Sequence, residues 1–243
     1  MAALCATSVH RDPGTVSAPG AGAAPGAWVW RIDLADDSRQ DAVAATHLVE
    51  PERRRASAGT GTVRSRRILL RAALRQALGG LLDLPPAAVP LIEDGDRPLV
   101  DTSAALSVSC SASGRVGLVA ISAGCEVGID VQQHRDEDAR SAAEEGWLAP
   151  AEELALRRLP TEARLLATTR CWTQKEAVLK GVGIGLHRRP VTVVTPVAET
   201  GRIGDWAVRT VPVPAGHVAS IAVRTPLDEI ALVIRDLTVG EIR

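Results

Sequence analysis

The sequence is organised around residues 172–186, which read WTQKEAVLKGVGIGL. Apolar residues within and just before this stretch recur at three- and four-residue spacings, which predicts an amphipathic helix over about 163–181. The helix is expected to end in a loop where the glycines begin, at Gly181, Gly183 and Gly185.

Two lysines stand out in this helix. Lys175 and Lys180 are the only lysines in the chain, so its other formal positive charges are arginines. Lysine and arginine side chains are not interchangeable where a flexible point charge must meet a phosphate. Lys175 falls within the apolar stripe, while Trp172, Glu176 and Lys180 follow its edge at i, i+4. The pattern suggests a pocket for an anionic ligand, and an ordinary amphipathic helix with a snorkelling lysine fits it equally well.

Composition excludes several classes of function. The 243 residues are 46% hydrophobic, enough for a core in one large domain or two small ones. The net charge of −1 provides no overall field that would attract nucleic acid or a membrane surface. Five Trp without any Phe or Tyr leave few stacking platforms, which argues against single-strand nucleic-acid binding.

The cysteines and the apolar runs predict a cytoplasmic protein. No paired or zinc-binding spacing links the four cysteines, so we interpret them as free thiols of a reducing compartment. They are Cys5, Cys110, Cys125 and Cys171. The first residues resemble no secretory signal, and no apolar run is long enough to span a bilayer.

The predicted elements form two similar series. Residues 1–27 are rich in Ala, Gly and Pro and are interpreted as a disordered leader. The halves 28–122 and 123–243 each contain an Ile-Asp-aliphatic strand, at 32–34 and 129–131, and a long helix. We therefore predict an α+β fold of two pseudo-symmetric subdomains. Each is a long helix on a small, mainly antiparallel sheet, with a cleft between them.

The individual elements follow from periodicity and turn residues. The first long helix carries an arginine run, Arg64 to Arg75, whose simplest interpretation is a solvated charged face. Helices are predicted at about 63–81, at 142–159 with an interruption at Pro150, and at 163–181. Strands are predicted at 28–34, 106–108, 116–121, 125–131, 191–195, 206–211, 218–223 and 230–235.

Two carboxylates suggest a magnesium site. Asp130 ends a strand that is otherwise apolar, and Glu176 lies on the edge of the helix. Mg²⁺ prefers a few protein oxygens together with waters or ligand phosphates, which two carboxylates would suit. Alternatively, Asp130 is a strand-end cap or an ordinary surface carboxylate.

At this point the motifs resemble a known family. VGIDVQ at 127–132 and WTQKEA at 172–177, followed by Lys180-Gly181 and Gly185-Leu186, resemble the two signature motifs of the 4′-phosphopantetheinyl transferase superfamily. The pseudo-dimeric, surfactin-type branch fits best. Earlier segments resemble the same branch: EPERRRA at 50–56, the Arg64–Arg75 run, Asp96-Arg97-Pro98 in place of Gly-Lys-Pro, and WLAPAE at 147–152.

The resemblance implies a reaction and its partners. Such enzymes transfer the phosphopantetheine arm of coenzyme A to a serine of an acyl or peptidyl carrier protein and release 3′,5′-ADP. The expected cofactor is Mg²⁺, the expected setting is polyketide or nonribosomal peptide biosynthesis, and the expected state is a cytoplasmic monomer. The active site would lie in the cleft between the two halves.

The resemblance also implies roles for particular residues. Asp130, Gln132 and Glu176 would hold Mg²⁺, and Glu176 would help to deprotonate the incoming serine. Lys175 and Lys180 would hold phosphate oxygens and stabilise the leaving diphosphate. Further positions match the nucleotide end (Arg53, Arg67, Arg97, Ser109 and Cys110) or an acidic position near the reaction centre (Glu152).

Two positions depart from the family pattern. Gln132 stands where an acidic residue is usual, although its oxygen or a bound water can still complete a Mg²⁺ shell. Cys110 replaces the histidine of a Ser-His-Ser pattern at 109–111. A neutral thiol is a weak donor without positive charge, and losing a charge-assisted hydrogen bond costs about 1.5–3 kcal/mol.

Two functional hypotheses follow. One is a working transferase that is modified at its nucleotide end. The other is a repurposed homologue: a coenzyme A or carrier-protein binding module, or an enzyme of different chemistry. The presence of Asp130, Lys175, Glu176 and Lys180 favours the first, and Cys110 with Gln132 favours the second.

Overall fold

The computed structural model describes residues 26–34, 38–58, 61–94, 97–134, 145–183 and 190–240. The predicted leader lies outside these residues except for Gly26 and Ala27, which instead begin the first strand. Within the described residues, no helix is both long and apolar enough to cross a membrane.

Five helices and ten strands make up the described fold, which confirms the predicted α+β class. The helices are α1 (Ser38–Thr46), α2 (Glu50–Ser57), α3 (Gly61–Leu82), α4 (Pro150–Arg157) and α5 (Thr161–Val182). The strands are β1 (Gly26–Asp33), β2 (Leu91–Asp94), β3 (Arg97–Val100), β4 (Leu106–Ser113), β5 (Val116–Ala123), β6 (Val127–Gln133), β7 (Thr200–Ile203), β8 (Trp206–Thr210), β9 (His217–Arg224) and β10 (Ala231–Asp236). Two 3-10 turns span Pro86–Ala88 and Pro190–Thr192.

The first four-stranded sheet has the order β10-β1-β5-β4 and is antiparallel except for the β1–β10 pair. Its outer face packs against α3, where Trp28 and Trp30 share a core with Leu69, Leu74 and Leu78. Because β10 pairs with β1, the last strand of the chain joins the sheet of the first half. The predicted division at 122/123 therefore does not separate the strands of the two sheets.

The second four-stranded sheet has the order β6-β9-β8-β7 and is antiparallel throughout. Its outer face packs against α5. Its inner face meets the inner face of the first sheet, where Val29 and Leu118 share a core with Ile129 and Ile221. The layers therefore follow the order helix, sheet, sheet, helix, and β2 pairs with β3 in a separate hairpin.

Strand β6 and helix α5 approach each other backbone to backbone. A Cβ at Gly128 would lie 1.8 Å from the carbonyl oxygen of Ala177, so any larger residue would push the helix away. A Cβ at Gly181 would lie 2.5 Å from the Trp206 ring. Two glycines thus allow the close contact that brings Asp130 of β6 beside the helix.

One element prediction is wrong. The run 191–195 has the β-branched composition of a strand, but it lies in and just after the 3-10 turn Pro190–Thr192. The carbonyl oxygens of Pro190 and Val193 turn inward and accept hydrogen bonds from Lys175. A tertiary contact therefore overrides the local strand propensity.

Candidate active site

Three predicted site residues meet where β6 faces α5. The Lys180 ammonium lies 2.6 Å from Asp130 Oδ1 and also donates to the hydroxyl of Ser111, at 2.9 Å. Asp130 is 5% exposed, whereas the Lys180 side chain is 31% exposed. Glu176 lies near both side chains. The negative charge of Asp130 disfavours ionisation of the Glu176 carboxyl group, and the positive charge of Lys180 favours it. The cluster is therefore partly exposed to solvent, and it contains two carboxylates and one ammonium group.

The carboxylates keep oxygens that no protein donor satisfies. Asp130 Oδ2 and Glu176 Oε1 are buried and have no hydrogen-bond partner among the described residues. Burial raises the pKa of Glu176, and the neighbouring Asp130 raises it further. Unsatisfied buried carboxylate oxygens are costly, and a bound divalent cation is one partner that would satisfy them. Carboxylate oxygens are ligands that suit Mg²⁺, although the described residues contain no group of three or more His, Cys, Asp or Glu placed to hold a metal.

Lys175 points away from this cluster. Its side chain is fully buried, and its ammonium lies 2.8 Å from Glu152 Oε2. It also donates to the carbonyl oxygens of Pro190, at 3.0 Å, and Val193, at 2.6 Å. These three acceptors use all three N–H groups of the ammonium. Burial lowers the pKa of Lys175, and the Glu152 carboxylate opposes that effect.

Glu152 is likewise held within the protein. Its Oε2 accepts the backbone N–H of Ala149 before α4, while its Oε1 accepts the backbone N–H and the hydroxyl of Thr195. The pair of Glu152 and Lys175 therefore joins the start of α4 to the middle of α5. Lys175 precedes Glu176 on α5, and Glu152 lies on α4, so both predicted site residues are paired with each other rather than placed beside Asp130.

The predicted nucleotide-end residues lie in several environments. Arg53 is exposed, donates to Glu50 at 3.2 Å and to the carbonyl oxygen of Leu48, and Arg67 is exposed on α3. The side chain of Arg97 lies outside the described residues. Ser109 is buried and accepts the N–H of Ile129 at 3.1 Å.

The Cys110 thiol lies near positively charged side chains of two helices. Burial raises the pKa of its thiol to about 12, and the positive charges of Arg71 and Lys180 oppose that rise. Arg71 belongs to α3 and Lys180 to α5, so the thiol lies near cations from both long helices. In the sequence, Arg71 is only one member of an arginine run, and no motif indicated that it would lie near Cys110.

Comparison with known proteins decides the family. A family model described as the 4′-phosphopantetheinyl transferase superfamily matches residues 126–203. The 4′-phosphopantetheinyl transferase HetI of Nostoc sp. (strain PCC 7120 / SAG 25.82 / UTEX 2576) is 30% identical over 176 residues, which cover 66% of this chain and 70% of that relative. The chain belongs to the 4′-phosphopantetheinyl transferase superfamily.

The matched region contains Asp130, Glu176 and Lys180. The range 126–203 runs from the start of β6 to the end of β7 and includes Glu176 and Lys180. Gln132 follows Asp130 on the same face of β6 and is half-buried. Ser111 lies outside that range and was not among the predicted site residues, although it contacts both Asp130 and Lys180.

Proposed function

We propose that this chain transfers the 4′-phosphopantetheine arm of coenzyme A to a serine of an acyl or peptidyl carrier protein, in a Mg²⁺-dependent reaction that releases 3′,5′-ADP. One observation carries the proposal. Asp130 and Glu176 each keep a buried oxygen that has no donor among the described residues, near the half-exposed ammonium of Lys180. This arrangement suits a divalent cation and a diphosphate.

Asp130 Oδ2 and Glu176 Oε1 would hold the metal, and the half-buried Gln132 is close enough along β6 to support it through its amide oxygen or a water. Bound Mg²⁺ would neutralise charge on the diphosphate of coenzyme A. The residues of this chain would hold the two carboxylates in place, on a strand and a helix whose backbones pack closely at Gly128.

Glu176 is the proposed base. Burial and the neighbouring Asp130 raise its pKa, which makes the carboxylate a better proton acceptor near neutral pH than an exposed glutamate. The proton of the carrier-protein serine would be held on the Glu176 carboxylate. Lys180 would hold the 5′-phosphate of the leaving 3′,5′-ADP, where its ammonium would stabilise the negative charge that develops as the phosphoanhydride bond of coenzyme A breaks.

Lys175 and Glu152 are proposed to act indirectly. The three internal acceptors of Lys175 favour a role in fixing α5 over direct contact with phosphate. The nucleotide end of coenzyme A is proposed to lie towards α3, where Arg67 is exposed and Arg71 approaches Cys110. Arg53, Arg97 and Ser109 remain proposed contributors to that end. The site would then lie in a cleft between two pseudo-symmetric halves.

The wider setting is also a proposal. The chain is proposed to work as a cytoplasmic monomer on carrier proteins of polyketide or nonribosomal peptide biosynthesis, without binding nucleic acid or membrane. The low net charge and the scarcity of aromatic side chains support the two exclusions.

The direct test is mass spectrometry of apo carrier proteins incubated with this protein, coenzyme A and Mg²⁺. The carrier mass should increase by one phosphopantetheine group, and excess EDTA should abolish the increase. A carrier whose acceptor serine is replaced by alanine is the control. Equal loading in EDTA would contradict the role of the metal.

A second candidate is a binding module that retains coenzyme A without transferring its arm. The neutral Cys110 thiol at the histidine position favours it, because its pKa of about 12 keeps it uncharged. Calorimetric binding of coenzyme A without loading of any carrier would favour this function over transfer.

A further inference from the structure

Four alternate serines of β4 join the two sheets. Their hydroxyl oxygens each accept a backbone N–H of the neighbouring edge strand β6, always from a residue twenty positions later in the chain. The bonds run from Val127 to Ser107 (3.1 Å), Ile129 to Ser109 (3.1 Å), Val131 to Ser111 (3.3 Å) and Gln133 to Ser113 (2.8 Å). This serine ladder replaces the backbone pairing that two adjacent strand edges would otherwise need.

Ser111 differs from the other rungs of the ladder. Besides the Val131 N–H, its hydroxyl contacts Lys180 Nζ at 2.9 Å and Asp130 Oδ1 at 2.8 Å, and the residue is only 7% exposed. An amide N–H and an ammonium can only donate. The single hydroxyl proton of Ser111 must therefore point to the Asp130 carboxylate. All hydrogen-bonding capacity of this hydroxyl is used.

This geometry fixes which oxygen of Asp130 remains available. Oδ1 accepts from both Ser111 and Lys180, whereas Oδ2 is buried without a partner among the described residues. Without the Ser111 hydroxyl, the carboxylate could rotate and the Lys180 ammonium could bridge both oxygens. Lys180 would then compete with a cation for Asp130.

We infer that Ser111 is a positioning residue that holds Asp130 Oδ1 and Lys180 together, so that Asp130 Oδ2 stays free for the metal. The inference rests on the proposed function. Groups that orient metal ligands by hydrogen bonding typically change metal affinity or activity 10–100-fold when they are removed. The alternative is that Ser111 is only one more rung that joins the sheets.

The ladder supplies its own control. Ser107→Ala removes the equivalent bond to Val127, and among the described residues Ser107 makes no hydrogen bond with Asp130 or Lys180. Ser111→Ala removes the bond to Val131 and also the two contacts at the site. Ser111→Thr keeps a hydroxyl on the same strand. Comparing the three separates the joining of the sheets from the positioning of Asp130.

The measurement is binding of Mn²⁺ to the full chain by electron paramagnetic resonance, with and without saturating coenzyme A, beside a melting curve of each variant. We expect Ser111→Ala to weaken Mn²⁺ binding at least about tenfold. Ser107→Ala should stay within about twofold of wild type, and Ser111→Thr should recover most of the affinity. Both alanine variants should lower the melting temperature, Ser111→Ala at least as much as Ser107→Ala because it loses more hydrogen bonds.

Equal Mn²⁺ affinities for Ser111→Ala and Ser107→Ala would overturn the inference, as would failure of the wild type to bind Mn²⁺ under either condition. Failure of the proposed function has a different signature. In that case the wild type binds Mn²⁺ and Ser111→Ala weakens that binding, but no carrier protein is loaded.

Discussion

The helix pairs α2–α3 and α4–α5 share one buried arrangement. In each, the third residue of the short helix is a glutamate that accepts the backbone N–H of the residue before that helix. The same glutamate pairs with a buried cation of the following long helix. Glu52 lies 2.6 Å from Arg75 Nε, and Glu152 lies 2.8 Å from Lys175 Nζ.

The two cations also have similar second partners. Arg75 donates to the carbonyl oxygens of Pro86 and Val89, at 3.0 Å each, around the 3-10 turn that follows α3. Lys175 donates to Pro190 and Val193, around the 3-10 turn in the segment after α5. In both halves a buried cation therefore fixes the segment that follows a long helix.

The difference lies in the next residue of each helix. The Gln76 amide contacts the backbone of Thr238 and Gly240 and so holds the end of the chain against α3. Glu176 instead lies near Asp130 and keeps one carboxylate oxygen without a partner in the part of the chain that the structure describes. The comparison indicates that the buried ion pair is a support in each case. It predicts that the residue after the buried cation differs in role: Gln76 is structural, and Glu176 is a proposed catalytic residue.

The strongest test of this division is Glu176→Gln. It removes a charge from the metal site and the proposed base, so turnover should fall by about 10²–10⁴-fold while the melting temperature changes little. Loading of a carrier protein under saturating coenzyme A measures the effect. Glu162→Gln, an exposed change in the first turn of the same helix, is the control. Wild-type turnover in Glu176→Gln would remove the chemical role of α5.

The next test asks whether Lys175 is a support, as Arg75 is. Lys175→Met leaves the Glu152 carboxylate buried without its cation, which should reduce the free energy of unfolding by about 3–5 kcal/mol. Arg75→Met should cost less, because Glu52 keeps its ion pair with Arg71. Urea denaturation without ligands measures both changes.

A double variant sharpens that test. Lys175→Met combined with Glu152→Leu should recover part of the lost stability, because the unpaired carboxylate is removed as well. If Lys175→Met leaves the stability unchanged and weakens coenzyme A binding instead, then Lys175 is a phosphate ligand and the likeness to Arg75 fails.

The smallest expected effect concerns Cys110, which lies near cations from both long helices. If the chain is a transferase that works despite the thiol at this position, Cys110→His should tighten coenzyme A binding by about 1.5–3 kcal/mol. The gain should be larger at pH 6 than at pH 8, because the imidazole is charged only below its pKa. Arg71 and Lys180 should lower that pKa and confine the gain to the acidic side.

Calorimetric titration with coenzyme A at both pH values, beside a melting curve, distinguishes the outcomes. Unchanged affinity with an unchanged melting temperature would favour a repurposed cleft. A lower melting temperature without tighter binding would mean that the thiol is a small apolar filler in the core.

The sequence was sufficient for the elements with strong local signals. The helix predicted at 163–181 is α5, and the strand with Asp130 is β6, because apolar periodicity and glycine punctuation act over a few residues. The run 191–195 failed for the opposite reason. Its β-branched residues favour a strand locally, but the carbonyl oxygens of Pro190 and Val193 are needed by the distant Lys175.

The family motifs, and with them the membership of the superfamily, were readable from the sequence alone. The sequence also grouped Asp130, Glu176 and Lys180, which lie near one another in the structure, and their role as one site stays a prediction. The contacts of Ser111 with Asp130 and Lys180 were not readable, because no sequence pattern marks a strand serine whose hydroxyl binds a neighbouring carboxylate. Its contacts exist only where the edge of β4 meets the edge of β6.

The division of labour between the two lysines was decided by tertiary structure. Positions five residues apart on a helix point in directions about 140° apart, so the sequence establishes that Lys175 and Lys180 diverge. It does not establish which of them turns into the protein. Helix α5 makes a close backbone contact with Gly128 through Ala177 and Gly181, and in this orientation Lys180 pairs with Asp130 while Lys175 is buried against Glu152. That contact joins residues far apart in the chain, so no local pattern encodes it.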